Sequence, residues 1–357
     1  MLRNKLKFWI IIGGIFIAVV VAVFLLSSRQ KLSGELNIYN WRDYLAPEVA
    51  TDFEKEYGVK INIYPYDDEF IMLEELESDP KSDKYDLVVA SDAILGKLIE
   101  QNLLADIDER NAPNVKHIGK KFMEISFNVK EFYAVPYTWG TTGMLVNTKF
   151  IPNADSWGVL WDQKYAGKIG MLNDPAEVVA AAAKYSGLPL VPQSEQQMKQ
   201  VKQKLLLQKE IIAGYFEYTA MAEDMISEKL WAAHQWNGTA ASAIEKNPDL
   251  AYIIPKEGAP IWMDAMAIPK NAKNKFTAET FLNYLNRPEV SAKNVEYLLY
   301  ASCNEAAKKF ISQDILNNRI IYPSKEDMEH LDLVVDYVAD DEIFKMRNEI
   351  WDELNGK

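Results

Sequence analysis

Tryptophan, tyrosine and carboxylate side chains recur in short clusters along the chain, and their chemistry could serve one binding site. The clusters are Trp41-Arg42-Asp43-Tyr44, Ser91-Asp92, Asp174-Pro175-Ala176-Glu177, Trp236-Asn237-Gly238-Thr239 and the pair Trp262 and Asp264. Basic residues are scarce in these clusters, and Arg42 is the exception.

This mixture of side chains fits an organic cation. An ammonium group loses hydration on burial and must regain hydrogen bonds and opposite charge, which carboxylates supply. Indole and phenol rings attract cations by about 0.5–2 kcal/mol each and cover the methylenes between amines. The residue types therefore indicate a pocket for an alkyl diamine or a longer polyamine. A sugar pocket would also stack on tryptophan, but it would use more Asn, Gln and Arg.

Structural roles could explain the same residues. Asp174, Pro175 and Glu177 have the spacing of a helix capping box, with Asp at the N-cap and Glu three residues later. That role and a binding role can coexist only if one carboxylate oxygen stays available. Trp236 and Trp262 could equally be core tryptophans.

The elements that would carry the first clusters alternate between strand and helix. Strands are predicted at Leu36–Tyr39, 59–63 and Tyr85–Ala90, and helices at Pro47–Tyr57, Asp68–Ser78 and Ala93–Asn102. Such a β-α-β-α series is typical of a doubly wound parallel sheet.

A second series follows farther along the chain. Strands are predicted at Lys168–Leu172 and Leu230–Gln235, and helices at Pro175–Tyr185, Gln196–Lys209 and Thr239–Lys246. Two extended stretches, 133–144 and 261–269, would cross between the two units and form a hinge above a cleft. Ligands of open α/β sheets bind beyond the carboxyl ends of the strands, where the clusters lie.

Charge and cysteine content exclude several classes of function. Residues 1–30 hold four basic residues and no acid, so residues 31–357 carry 35 basic against 52 acidic residues, a net charge of −17. A nucleic-acid-binding protein needs basic surface, and this chain lacks it. Cys303 is the only cysteine, so no disulfide framework can form. The three histidines match no metal spacing, and we expect neither a metal nor a cofactor.

The N-terminal segment differs in kind from the rest of the chain. Residues 8–26 are 19 apolar residues without a charge, enough to cross a membrane as a helix, and three basic residues precede them. The sequence that follows, Phe24-Leu25-Leu26-Ser27-Ser28, is a poor signal-peptidase site. We therefore expect an uncleaved anchor, with the folded part on the extracytoplasmic face of the cell membrane.

Several motifs together resemble the spermidine/putrescine-binding proteins of ABC importers (the PotD family). They are Tyr39-Asn40-Trp41-Arg42-Asp43-Tyr44, Tyr85–Ser91, Val135-Pro136-Tyr137-Thr138-Trp139-Gly140, Trp236-Asn237-Gly238 and Trp262-Met263-Asp264. Their order and spacing match from about Leu36 to at least Asn304. The resemblance implies a polyamine held between two lobes and an ABC permease with ATPase subunits as the partner.

The resemblance also implies the residues that bind. They are Trp41, Tyr44, Ser91, Asp174, Glu177, Trp236, Trp262, Asp264 and Tyr300. Asp174 and Glu177 would hold one terminal ammonium, and Asp264 would bind another amine. Further candidates are Arg42, Asp92 and Tyr137. Two departures stand out, because Ala93 replaces an aromatic that relatives can carry and Arg42 would repel a cation if it pointed into the cleft.

The sequence thus predicts a two-lobe α/β fold of the periplasmic-binding-protein type II, preceded by a transmembrane helix. The expected divisions are 1–30 for the stub and anchor, 34–138 plus 262–308 for lobe 1, and 139–261 plus 309–357 for lobe 2. The expected function is capture of spermidine or putrescine for an importer, without catalysis. The alternatives are a binder of a sugar or an amino acid with the same fold, and a hydrolase that uses paired carboxylates such as Asp174 and Asp264.

Overall fold

The computed structural model describes residues 32–126, 132–333 and 341–356. The apolar segment 8–26, predicted as a membrane anchor, lies outside these residues. Within the described ranges, no helix combines the length and the apolar character that crossing a membrane requires.

Strands and helices alternate through most of the described chain. The strands are β1 (Glu35–Trp41), β2 (Lys60–Tyr66), β3 (Leu87–Ser91), β4 (Leu104–Ala105), β5 (Ala134–Asn147), β6 (Ile169–Leu172), β7 (Gly214–Phe216), β8 (Ala232–Trp236), β9 (Leu250–Ile253), β10 (Ala259–Pro269), β11 (Ala301–Ser302) and β12 (Leu331–Leu333). The helices are α1 (Pro47–Tyr57), α2 (Glu69–Ser78), α3 (Asp92–Glu100), α4 (Lys120–Ser126), α5 (Pro175–Tyr185), α6 (Glu195–Lys209), α7 (Tyr218–Ile226), α8 (Asn237–Lys246), α9 (Lys275–Leu285), α10 (Pro288–Leu298), α11 (Gln313–Leu316), α12 (Lys325–Met328) and α13 (Asp341–Leu354). This is the α/β class that the sequence predicts.

The sheet contains two groups of parallel strands joined by two long antiparallel strands. Its order is β2-β1-β3-β10-β5-β8-β6-β7, with β4, β9, β11 and β12 attached to β5 or β10. In the first group β1 pairs in parallel with β2 and β3, and in the second β6 pairs in parallel with β7 and β8. Residues 134–141 of β5 pair with β10, and residues 142–146 pair with β8. The two extended stretches predicted as crossings are therefore β5 and β10.

Local sequence signals set the helix boundaries that were predicted best. Helix α1 begins at Pro47, whose fixed φ suits the first turn, and ends before Gly58, which has a φ of 66°. Helix α5 begins after its N-cap residue Asp174 and has the predicted bounds. Behind the strands, Phe53 of α1 and Phe281 of α9 pack at right angles with ring centres 5.0 Å apart.

The structure departs from the prediction in the shortest elements and at strand ends. Strand β7 and helix α7 were not predicted, because three and nine residues carry too little periodicity to separate from a loop. Strands β1, β3 and β8 also extend one or two residues farther than predicted. They therefore end at Trp41, Ser91 and Trp236 themselves rather than before them. The lobe boundaries stay a prediction.

Candidate functional site

A cavity of about 300 Å³ lies where the carboxyl ends of both groups of parallel strands meet β10. Its lining includes all nine principal candidates from the sequence: Trp41, Tyr44, Ser91, Asp174, Glu177, Trp236, Trp262, Asp264 and Tyr300. These residues are spread over 260 positions, so only the fold brings them together.

Strand ends and strand register position the side chains. Trp41, Ser91 and Trp236 are the last residues of β1, β3 and β8, and α3 and α8 begin directly after Ser91 and Trp236. Asp264 of β10 is the cross-strand partner of Ser91. The pairing of β10 with β5 shifts register between Asp264 and Ala265, and such a bulge re-aims the side chains beside it.

Asp174 caps a helix and faces the cavity at the same time. Its Oδ1 accepts from the backbone N–H of Ala176 at 2.8 Å and of Glu177 at 3.0 Å. Both capping bonds use one oxygen, so the second, Oδ2, is available to a ligand. The structural role weighed from the sequence is therefore real, and it leaves room for binding.

Glu177 does not complete the capping box. Its Oε1 accepts instead from the Thr142 hydroxyl at 2.7 Å and from the indole N–H of Trp236 at 3.0 Å. Its Oε2 is buried and has no hydrogen-bond partner among the described residues. Burial, and then the neighbouring Asp174, raise the pKa of Glu177. Nε2 of the buried His234 lies 4.0 Å from Oε2.

Asp264 and Glu69 add two buried carboxylates. Asp264 is 7 % exposed, and burial raises its pKa to about 7, opposed by a smaller lowering from the Tyr44 hydroxyl. Glu69 is 6 % exposed, and burial followed by repulsion from Asp174 and Asp264 raises its pKa. Burial raises the pKa of Asp174 as well. Negative charge on these carboxylates is therefore costly, and a bound cation would relieve that cost.

Aromatic rings form the walls between these carboxylates. Trp262 and Tyr300 meet edge to face with ring centres 5.0 Å apart, and Trp41 and Trp236 do so at 6.1 Å. Gly238 allows the Tyr300 ring to pack directly against the backbone of α8, because a Cβ at this position would lie 2.5 Å from Cε1 of Tyr300.

The three further candidates, Arg42, Asp92 and Tyr137, lie in different positions relative to the cavity. Asp92 lines the cavity. Arg42 also lines it, but its half-exposed guanidinium makes a bidentate pair with Asp67 at 2.7 and 2.8 Å, so its charge is neutralised locally. Tyr137 is absent from the described lining of the cavity. It lies behind Tyr44, and its hydroxyl donates to the Tyr44 carbonyl at 2.8 Å, so its role as a ligand contact stays a prediction.

The sequence analysis missed three prominent lining residues. Asp43 was noted in its cluster but not chosen, and Glu69 and Tyr218 were not considered. Glu69 is the first residue of α2, where acidic residues are common for helix stability alone. Tyr218 belongs to the unpredicted helix α7. No group of three or more His, Cys, Asp or Glu in the described ranges is arranged to hold a metal ion.

Comparison with known proteins gives consistent matches over most of the chain. The profile of the family described as bacterial extracellular solute-binding protein matches residues 48–318. The spermidine/putrescine-binding periplasmic protein of Escherichia coli K12 is 30 % identical over 300 residues, 83 % of this chain and 85 % of that one. The putrescine-binding periplasmic protein SpuD of Pseudomonas aeruginosa UCBPP-PA14 is 31 % identical over 317 residues, again 83 % and 85 %.

Solved structures of similar sequence identity also resemble the fold of this chain. A putative spermidine/putrescine ABC transporter protein from Listeria monocytogenes has a TM-score of 0.84 at 31 % identity, and the match covers 90 % of this chain and 99 % of that one. The substrate-binding protein PotD from Streptococcus pneumoniae has a TM-score of 0.76 at 28 % identity, with 91 % and 99 % covered. The periplasmic-binding-protein-like fold expected from the sequence is thereby confirmed.

Proposed function

Because the chain belongs to the family of bacterial extracellular solute-binding proteins, we propose that it captures a polyamine, spermidine or putrescine, for an ABC importer. The polyamine would occupy the cavity between the two strand groups, and the loaded protein would deliver it to a membrane permease driven by ATPase subunits. The proposed function consists of ligand binding and release, without catalysis.

The observation that carries the proposal is the charge balance of the cavity wall. Six carboxylates line the cavity among the described residues: Asp43, Glu69, Asp92, Asp174, Glu177 and Asp264. Arg42 is the one basic residue in that lining, and Asp67 neutralises it. Glu69 and Asp264 are buried, and a sugar or a neutral amino acid would bring them no net counter-charge, whereas a polyamine supplies two or more ammonium groups.

Shape supports the same ligand class. A cavity of about 300 Å³ is at the lower end of the range for small-molecule sites, roughly 300–1,000 Å³, and suits a slender chain. Tryptophan and tyrosine rings on opposite walls would cover its methylenes, while carboxylates at separate positions would bind its nitrogens.

Capture would couple the two predicted lobes, 34–138 plus 262–308 and 139–261 plus 309–357. Trp41 and Asp264 would belong to the first lobe, and Glu177 and Trp236 to the second. Trp41 and Trp236 are in edge-to-face contact, and the Tyr218 hydroxyl donates to the Arg42 carbonyl at 3.2 Å. A ligand that contacts both lobes stabilises this closed arrangement by its differential affinity for it.

Calorimetric titration tests the proposal. Putrescine or spermidine should bind the purified protein and raise its melting temperature, while γ-aminobutyrate and glucose should do neither. Glucose controls for sugar binding, and γ-aminobutyrate has the four carbons of putrescine but ends in a carboxylate where putrescine has a CH₂–NH₃⁺ group. Absence of binding by any polyamine at millimolar concentration would refute the proposed function.

We also propose that residues 8–26 tether the protein to the extracytoplasmic face of the membrane. The support is the length of the uncharged segment and the basic residues before it. Fractionation should recover the protein in membranes after a high-salt wash, with an intact mass that includes residues 1–30. A shortened protein in the soluble extracytoplasmic fraction would contradict the tether.

A further inference from the structure

Glu69 makes two hydrogen bonds to a single residue of the cavity wall. Its Oε1 accepts from the Ser91 hydroxyl at 2.9 Å, and its Oε2 accepts from the Ser91 backbone N–H at 3.3 Å. Both groups are held at the ends of regular elements, since Glu69 begins α2 and Ser91 ends β3. The carboxylate therefore sets the direction of the serine hydroxyl.

The number of hydrogen bonds that the Ser91 hydroxyl can still make follows from its donor and acceptor groups. A serine hydroxyl has one hydrogen and two lone pairs. Glu69 takes the hydrogen, and one lone pair accepts from the backbone N–H of Ile94 at 3.4 Å as the N-cap of α3. One lone pair is left on a residue that lines the cavity. In this arrangement Ser91 can accept a hydrogen bond from a ligand but cannot donate one.

This observation deepens the proposed function and rests on it. We propose that Glu69 is a positioning residue that makes the Ser91 hydroxyl an obligate acceptor. The ligand group beside Ser91 must then be a hydrogen-bond donor such as an ammonium, and a group with acceptors alone, such as a carboxylate, is rejected.

The charge state of Glu69 links this role to the cation. The largest electrostatic effects on it come from Asp174 at the start of α5 and Asp264 on β10, and Tyr66 at the end of β2 interacts with it as well. Burial and then these two carboxylates raise the pKa of Glu69, while the nearby Arg347 of α13 has its guanidinium 5.3 Å from the ring centre of Phe70. An ammonium bound at Asp264, the cross-strand partner of Ser91, would offset this and keep Glu69 ionised. The acceptor state of Ser91 would thus be fixed when the cation is present.

A double-mutant cycle tests the proposal, with calorimetric titrations of putrescine and γ-aminobutyrate. The amide introduced by Glu69→Gln has an NH₂ group in place of one of the two oxygens, so it cannot accept both Ser91 bonds as the carboxylate does. This variant should bind putrescine at least about tenfold more weakly and should release fewer protons on binding than the wild type. Glu74→Gln, which removes an exposed charge on the same helix, is the matched control and should bind as the wild type does.

The variants in the Ser91→Ala background show whether Glu69 acts through Ser91. Ser91→Ala alone should weaken putrescine binding about fivefold or more, and adding Glu69→Gln to it should change the Kd less than about threefold. Persistence of the full tenfold loss in the Ser91→Ala background would overturn the proposal. Wild-type affinity for putrescine in either single variant would also overturn the proposal. If Glu69→Gln does not fold, the affinity of Ser91→Ala alone still provides this test. A wild-type protein that binds no polyamine would instead refute the proposed function itself.

Discussion

At the scale of the residue, the site is built from side chains that each serve the fold and the cavity at once. Asp174 caps α5 with one oxygen, and Glu177 uses one oxygen to hold Thr142 and Trp236. Each carboxylate is thereby oriented. The second oxygen of Asp174 remains for a ligand, whereas that of Glu177 is buried near His234. Tyr137 contributes indirectly, because its hydroxyl holds the Tyr44 carbonyl and in turn accepts from Asn294 at 2.6 Å.

Asp264→Asn is the sharpest test of a single carboxylate. The change keeps the shape and removes the charge, so we expect the Kd for putrescine and spermidine to rise more than about tenfold. The reason is that a hydrogen bond to a charged group contributes about 1.5–3 kcal/mol. Calorimetric titration measures the change. Asp314→Asn, at an exposed position in α11, should bind as the wild type does, and equal affinities of the two variants would exclude Asp264 from the site.

At the scale of the element, the site depends on strands that end where helices begin. Ser91 is the last residue of β3 and the N-cap of α3, and Trp236 is the last residue of β8 and the N-cap of α8. No loop intervenes, so the backbone positions of these side chains are fixed by sheet pairing on one side and by helical hydrogen bonds on the other. Close packing between elements then sets the cavity walls.

Gly238→Ala tests the packing of α8 against Tyr300. A methyl group at this position would approach the Tyr300 ring to 2.5 Å, so the ring must move although alanine itself favours the helix. We expect affinity for polyamine to fall about tenfold or more while the melting temperature of the unliganded protein changes by a few degrees at most. Gly34→Ala, which meets no atom within 4 Å, is the control. Unchanged affinity after Gly238→Ala would show that the Tyr300 wall does not contact the ligand.

At the scale of the whole molecule, the two strand groups contribute carboxylates to one electrostatic unit. Glu69 follows β2 of the first group, Asp264 lies on β10 beside that group, and Asp174 and Glu177 follow β6 of the second. The pKa of each is raised, mainly by burial. These four carboxylates therefore bind more protons near neutral pH in the unliganded protein than in its unfolded chain. Their contribution to stability should fall as pH rises from about 4, the ordinary carboxylate pKa, through about 7, the raised pKa of Asp264.

Ligand binding should show the opposite pH dependence. A bound cation favours the ionised carboxylates, so binding releases protons and the Kd should fall as pH rises from about 5 to 7, by up to about tenfold per pH unit for each proton released. Titrations in phosphate and Tris buffers, which differ in ionisation enthalpy, count the protons. Asp264→Asn should release fewer protons than the wild type. A Kd that is constant between pH 5 and 8 would contradict this electrostatic account.

The sequence by itself determined the α/β class, the helices with strong caps and the chemical character of the site. Proline, glycine and aspartate signals are local, so α1 and α5 were predicted with their observed bounds. The nine principal candidates were named because aromatic and acidic residue types carry their chemistry wherever the fold puts them, and the family motifs selected them. All nine line the cavity.

Tertiary structure decided what depends on contacts between distant residues. Only packing shows that Tyr137 lies behind Tyr44, that Asp67 neutralises Arg42, and that Glu69 faces the cavity. A glutamate in the first turn of a helix has the same sequence signature whether it is solvated or buried. Its pKa is raised because the fold buries it and brings Asp174 and Asp264 close to it, and its bonds to Ser91 form because the fold places the start of α2 beside the end of β3. The aromatic and acidic character of the cavity could therefore be predicted from the residues, whereas the free-energy cost of burying its carboxylates was set by the fold.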